Sequence, residues 1–172
     1  MPRLYSRLFG LMVTAVLAAA CAPVAESAPT SSAEARVTVS PPPERSTGRD
    51  MGQTRVRFTV GDTEIVVRAA DNPTSRDFVS MLPLTLNFRD FNAMEKIGDL
   101  PRRLTTQGST GSAPANGDLI YFVPWGNLGF FYNAERRDAA FDHQVIPIGT
   151  VETGYERLGE LETGPVRVEL IP

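Results

Sequence analysis

The sequence holds few residues suited to acid–base or nucleophilic chemistry. His143 is the only histidine and Cys21 the only cysteine among the 172 residues. A zinc site needs several histidine, cysteine or carboxylate ligands, and a serine or cysteine nucleophile usually depends on a histidine. In the segment FDHQV, His143 is expected to be an exposed, hydrogen-bonded residue at the start of a strand. The sequence therefore predicts no metal, no cofactor and no catalytic residue.

Glu95 and Lys96 are adjacent residues of opposite charge in the least regular part of the sequence. If they are buried, they could form a structural ion pair, or they could orient a carboxylate or an amide of a ligand. If they are exposed, the pair contributes little to stability. Arg89 lies upstream in the same segment and could join them.

The segment GDLIYFVPWGNLGFFYN, residues 117–133, contains the densest group of aromatic residues in the chain. Successive residues of a strand point to opposite faces, so Phe130 and Phe131 are not expected to line the same cavity. We expect the aromatic side chains chiefly to fill the inside of a barrel. The alternative is a binding groove, with Tyr132 at its rim and Trp125 as an exposed recognition residue at a hairpin tip. The candidate binding residues are thus Arg89, Glu95, Lys96, Trp125 and Tyr132.

Charge argues against nucleic acid as a partner. The formal net charge is −3, and no basic block is larger than Arg102-Arg103 or Arg136-Arg137. Binding to the phosphate backbone normally needs a clustered basic surface. The glycine-rich segment GSTGS, residues 108–112, lacks the lysine of a phosphate-binding loop and is interpreted as a flexible loop. The expected partner is a peptide, a protein or a small ligand that the sequence does not identify.

The first 20 residues have the composition of a secretory signal peptide. Arg3 and Arg7 precede an apolar run over residues 8–20, which ends in small residues. This run is too short for a membrane span, since a helix needs about 20 apolar residues to cross the hydrocarbon. We therefore expect residues 1–20 to be removed during export.

Cys21 follows this signal directly. The segment LAAAC resembles the lipobox of bacterial lipoproteins, although Ala18 stands where leucine is usual; the alternative is an ordinary signal peptide that leaves a free thiol. Residues 21–52 would then be a lipidated cysteine followed by a tether rich in Pro, Ser and Ala, which buries too little apolar surface to fold. These features predict a protein anchored to the extracytoplasmic side of the cell envelope, with residues 53–172 as one folded domain.

Periodicity in this domain favours strands. Val56, Phe58 and Val60 alternate with polar residues, and Gly61-Asp62 leads into a second β-branched run, which predicts a hairpin. Asn72-Pro73 predicts the start of a short helix that ends before Pro83. PLTLNF is expected to be a strand.

The second half of the domain continues this pattern. Residues 89–117 predict loops with short extended pieces, while DLIYFVP and LGFFYN predict a strand pair joined at residues 125–127. VIPIGTV and GPVRVELI predict further strands, and ETGYERLGEL predicts a short helix with Tyr155 and Leu158 on one face. Helices are too few to cover a parallel sheet. The expected fold is therefore mainly β, a closed antiparallel barrel with two short capping helices.

The order of these elements resembles the bacterial cyclophilin-like proteins, which share the cyclophilin barrel. The resemblance covers residues 55–171 and is carried by LPLT, Glu95-Lys96, GDL at residues 117–119, FFY at 130–132 and Ile148-Gly149. It implies the barrel fold.

The isomerase residues of true cyclophilins are not reproduced in this sequence. Their Phe-His-Arg box is represented only by Phe88-Arg89, and Gln107-Gly108 stands isolated from the rest of the box. Because fold alone does not define activity, the sequence favours a domain that binds a peptide or a small ligand. A peptidyl-prolyl isomerase of the cell envelope, with Arg89 as its arginine, is the alternative.

Overall fold

The computed structural model describes residues 51–172, so the expectations for the signal segment, for Cys21 and for the tether up to residue 50 lie outside the described residues. Nine antiparallel strands form one sheet in the order β3-β9-β1-β2-β8-β6-β7-β5-β4. The strands are β1 (Arg55–Val60), β2 (Thr63–Ala69), β3 (Leu84–Leu86), β4 (Phe88–Phe91), β5 (Glu95–Asp99), β6 (Asp118–Phe122), β7 (Asn127–Phe131), β8 (Val145–Thr153) and β9 (Val166–Ile171).

The two ends of this sheet meet, which makes it a nearly closed barrel. The end strands β3 and β4 are consecutive in the chain and are separated only by Asn87. Across the interior, the ring of Phe88 lies 6.3 Å from that of Phe58 and 5.8 Å from that of Phe130. The predicted antiparallel barrel is thereby confirmed.

The β1–β2 hairpin follows from its sequence alternation. Phe58 pairs with Ile65 in the ladder, and both side chains are buried in the barrel. Val60 pairs with Thr63, so Gly61 and Asp62 form the turn, and Gly61 has a φ of +52° that favours glycine. This prediction is confirmed residue by residue.

Two short helical segments contribute side chains to the barrel core. Helix α1 (Pro73–Ser80) begins as predicted, because the Asn72 side chain accepts a hydrogen bond from the Ser75 amide and Pro73 occupies the first turn. The second segment, Tyr155–Glu162, is a 3-10 helix. Leu158 and Leu161, three residues apart, share its buried face because side chains at that spacing eclipse in a 3-10 helix. Tyr155 lies at the same spacing before Leu158, as predicted for one face, but is 40% exposed at the end of the segment.

Three further short 3-10 segments occur among residues 51–172, at Met51–Gln53, Ala134–Arg136 and Ala139–Gln144. In this part of the chain, no helix is long and apolar enough to span a membrane.

The region expected to be irregular contains a hairpin. Strands β4 and β5 pair over Phe88–Phe91 and Glu95–Asp99, with Arg89 opposite Ile97. Its turn places Asn92 and Ala93 at φ values of 55° and 51°, where glycine would be the usual signal. The sequence predicted loops with short extended pieces in this region, but not that two of these pieces pair through this turn. Residues 100–117 form no strand. PLTLNF is likewise divided at Asn87 into β3 and the start of β4.

The central β6–β7 hairpin presents different side chains to its two faces. Leu119, Tyr121, Leu128 and Phe130 belong to the main core inside the barrel. Ile120 and Phe131 belong to a second, smaller cluster on the outer face, together with Ala134 and Val145. Alternation therefore separates Phe130 from Phe131, as predicted, and makes the outer face apolar as well.

Candidate functional site

A large groove lies on the outer face of the barrel, over β5, β6, β7 and β8. Its volume is about 780 Å³, within the range of small-molecule sites. Strand residues form the floor, while the β4–β5 turn, the β6–β7 turn and the segment 134–142 form the walls. The lining includes Phe91, Glu95, Ile120, Phe122, Trp125, Phe131, Arg136, Arg137, Asp138, Phe141, Asp142 and Val145.

Strand register explains which side chains reach this groove. Glu95 lies opposite Phe131 in the β5–β7 ladder, whereas Lys96 lies opposite Phe130. Cross-strand partners point to the same face of a sheet. Glu95 therefore shares the outer face with Phe131, while Lys96 points toward the interior with Phe130.

The Glu95 carboxyl group lies at the floor of the groove, above the backbone of Gly129. A Cβ atom at position 129 would lie only 2.1 Å from Glu95 Oε2, so glycine provides the space that this carboxyl group occupies. Glu95 is only 8% exposed. Burial disfavours the charged form and raises the pKa of Glu95 to about 7.

Glu95 also has no internal partner. No donor among residues 51–172 hydrogen-bonds to its carboxyl group, and no basic group pairs with it, since burial is the sole cause of its raised pKa. Buried polar groups in proteins are normally hydrogen-bonded. A perturbed, unpaired carboxyl group in an apolar groove is therefore the strongest indication of a functional site in this part of the chain.

Replacing Gly129 is expected to move this carboxyl group. In Gly129→Ala the new methyl group would displace the flexible end of Glu95 toward the open groove, where water stabilises the charged form. We expect the pKa of Glu95 to fall from about 7 toward its ordinary value of 4.5. A carbon-13 NMR titration of the side-chain carboxyl measures this shift, and an unchanged titration midpoint would contradict the placement of Glu95 over Gly129.

Aromatic rings form one side of the groove at nearly right angles to each other. The Trp125 ring lies 5.1 Å from that of Phe91 at 89°, and 5.3 Å from that of Phe122 at 88°. Phe141 contacts Phe122 from the segment 134–142, with ring centroids 6.2 Å apart. Trp125 remains 55% exposed. The rings thus form an open aromatic wall rather than a closed core.

Charged residues from the segment 134–142 lie along the rim. Arg137 Nε donates to Asp142 Oδ1 at 3.0 Å, and its Nη1 donates to the Ala134 carbonyl. Asp138 accepts a hydrogen bond from the Ala140 amide at 3.0 Å and thereby caps the short 3-10 segment. Arg136 is exposed. Together with Glu95, the groove lining therefore contains three carboxyl groups and two guanidinium groups.

Lys96 belongs to a separate cluster near the Tyr155–Glu162 segment. Its Nζ pairs with Asp90 at 2.8 Å and with Glu162, and it lies 5.0 Å from the centroid of the Tyr132 ring. The Tyr132 hydroxyl also donates to Asp90. The hydrogen bonds from Lys96 and Tyr132 lower the pKa of Asp90 to about 2. Lys96 and Tyr132 line a smaller cavity of about 360 Å³ with Tyr155.

The five candidate residues therefore fall into three places. Glu95 and Trp125 line the groove, and Lys96 and Tyr132 lie at the second cavity. Arg89 lines neither cavity. Its side chain is 56% exposed and pairs with Asp99 at 2.9 Å. The structural ion pair considered for Glu95 with Lys96 does not form, because neighbouring strand residues point to opposite faces and Lys96 pairs with Asp90 and Glu162 instead.

Several groove residues were not among the candidates. Phe91, Phe122, Phe131 and Phe141 come from separate segments, and only the strand register brings them together. Alternation within DLIYF and NLGFF was the available signal for Phe122 and Phe131, but no sequence signal placed Phe91 beside Trp125. His143 is exposed at the end of the 3-10 segment before β8, 3.0 Å from the Gln144 amide nitrogen. Among residues 51–172, no three His, Cys, Asp or Glu side chains are grouped to hold a metal ion.

The nine-stranded antiparallel barrel is consistent with a cyclophilin-like domain, and comparison with known proteins shows the family. The family model described as the Cyclophilin-like family matches residues 58–170, so the chain belongs to this family. The solution structure of the hypothetical protein AF2241 from Archaeoglobus fulgidus is similar, with a TM-score of 0.55 and 17% identity over 71% of this chain and 98% of that chain. At this identity the similarity shows the fold alone. No curated protein matches the sequence significantly.

Proposed function

We propose that this protein is a membrane-anchored, extracytoplasmic binding module that holds a small ligand or a peptide side chain in the outer groove. The unpaired, buried carboxyl group of Glu95 at the floor of a groove of about 780 Å³ is the observation that carries this proposal. Ligand sites are typically concave, mostly apolar and equipped with a few polar groups that fix orientation. Glu95 is such a group, and the aromatic wall supplies the apolar surface.

Trp125 offers a direct measurement of ligand binding. It is the only tryptophan in the chain and lies in the wall of the groove. Titration with two aromatic probes of similar size, 3-phenylpropylamine and 3-phenyl-1-propanol, is expected to change its fluorescence with a Kd on the order of 1 mM, as is usual for small fragments. Chemical-shift changes confined to groove residues would locate the probe independently. If neither probe perturbs the groove, the proposed binding function is wrong.

The membrane anchor is proposed from the sequence around Cys21. Acylation of this thiol and of the new amino terminus would hold the protein on the membrane, since each buried methylene contributes about 0.8 kcal/mol and more than one chain gives stable anchoring. In detergent phase partitioning, the wild type is expected in the detergent phase and Cys21→Ser in the aqueous phase. A Cys21→Ser variant that still fractionates with membranes would exclude this anchor.

A further inference from the structure

We propose that the outer groove selects an organic ammonium ligand with an aromatic or aliphatic body, and that Glu95 is the residue that distinguishes this ligand from a neutral one of the same shape. The inference rests on the proposed function of the groove as a ligand site. It adds the chemical class of the ligand and assigns a specificity-determining residue.

The hydrogen-bonding state of Glu95 provides the first argument. Its carboxyl group has lost most of its contact with water and receives no hydrogen bond from residues 51–172. A buried carboxylate is costly unless a positive charge or several donors accompany it. The Glu95 oxygens are not fully enclosed and stay open to the groove. An ammonium group supplies both a charge and up to three donors, so a bound amine would give this carboxyl group donors that residues 51–172 do not provide.

The aromatic wall provides the second argument. Trp125 is perpendicular to both Phe91 and Phe122, so rings in different orientations line one side of the groove. The face of an aromatic ring attracts a cation, most strongly for tryptophan, and cages of such rings recognise ammonium groups. Rings together with one carboxyl group match an ammonium head attached to an apolar body better than they match an anion.

The other charges facing the groove are compatible with a cation. The groove residues contributed by β4, β6, β7 and β8, which include Phe91, Ile120, Phe131 and Val145, are apolar. All remaining charged groups come from the segment 134–142. In this segment Arg137 is paired with Asp142, which leaves the exposed Arg136 and Asp138 at the rim. Glu95 is therefore the only charged residue on the floor of the groove within the described part of the chain.

The first experiment compares the amine with the alcohol at pH 8. We expect 3-phenylpropylamine to bind about tenfold more tightly than 3-phenyl-1-propanol, because only the amine carries the charge. The preference is expected to fall below about twofold in Glu95→Gln, which removes the charge and retains most of the shape. Glu135→Gln changes an exposed carboxyl group in the neighbouring segment, outside the groove, and is expected to keep the wild-type preference. Ligand-observed NMR measures the affinity of both probes for the wild type and the two variants.

The second experiment needs no variant and therefore does not depend on the folding of Glu95→Gln. Benzyltrimethylammonium carries a permanent charge, so any change of its affinity with pH must come from the protein. With the pKa of Glu95 at about 7, the ionised fraction rises from about 3% at pH 5.5 to about 97% at pH 8.5. The apparent affinity is expected to rise by about thirtyfold over this range, since it scales with the binding-competent fraction. Glu135→Gln, which changes a carboxyl group outside the groove, is expected to show the same rise.

The outcomes separate this inference from the proposed function. Tighter binding of the amine, dependent on Glu95 and rising with pH, supports both. Equal binding of amine and alcohol, or an affinity for benzyltrimethylammonium that does not rise with pH, would leave the groove as a ligand site and overturn the ammonium preference. Binding of benzyltrimethylammonium that weakens as the pH rises would also overturn it.

Discussion

Replacing Glu95 with glutamine is expected to remove about 3 kcal/mol of pH dependence from the free energy of unfolding. The pKa of Glu95 is raised by burial from 4.5 to about 7. Below 4.5 the carboxyl is neutral in both the folded and the unfolded chain, so burial carries no charge penalty. Between pH 4.5 and about 7 the carboxyl ionises in the unfolded chain but stays protonated in the folded one, so the free energy of unfolding falls over this range.

Urea denaturation at pH 4 and pH 9 measures this difference. The wild type is expected to lose about 3 kcal/mol more than Glu95→Gln between the two values, while Glu135→Gln is expected to follow the wild type. A buried amide without a partner lowers the stability of Glu95→Gln at both pH values alike, so the comparison across pH isolates ionisation. If the free energy of unfolding changed with pH in the same way for the wild type and Glu95→Gln, burial would not disfavour the ionised form of Glu95.

Truncating Phe130 on the β6–β7 hairpin is expected to cause a large loss of stability. The Phe130 ring is fully buried inside the barrel and lies 5.0 Å from the ring of Phe58 and 5.8 Å from that of Phe88. Phe130→Ala would leave a cavity among three packed rings, which costs about 3–5 kcal/mol. A shift of the urea midpoint with an unchanged m-value measures this loss of stability.

Phe131 provides the matched comparison on the opposite face. Its ring contributes to the outer cluster and to the floor of the groove. Phe131→Ala is therefore expected to weaken binding of the aromatic probes, whereas Phe130→Ala is expected to leave their affinity within about twofold at pH and temperature values where it remains folded. If Phe130→Ala abolished binding in a protein that is still folded, the separation of the two faces would be wrong.

Local sequence patterns predicted most of the barrel. Alternation gave the β1–β2 hairpin with its turn, Asn72-Pro73 gave the start of α1, and continuous apolar runs gave β6 and β7. The β4–β5 hairpin was missed because Asn92 and Ala93 adopt positive φ values without a glycine. The second helix was predicted as a helix but not as a 3-10 helix, since two leucines three residues apart fit either type.

The groove could be predicted only in part. Glu95 and Trp125 were candidates because of their residue types, and both line it. Their relation to Phe91 and Phe141 depends on strand register and on a covering segment distant in sequence, and neither is encoded in a local pattern. The ion pair that was one possibility for Glu95 and Lys96 does not form, because strand alternation points neighbouring side chains to opposite faces of the sheet.

The short strands at the junction of Asn87 have a consequence for self-association. An open sheet of nine strands presents two rows of unpaired amide and carbonyl groups, which can template pairing with a second molecule. Here the terminal strands contain only three and four residues, and they converge at one point of the barrel wall. The described domain thus offers little main-chain surface on which fibrillar growth could start, so protection against aggregation is built into its connectivity.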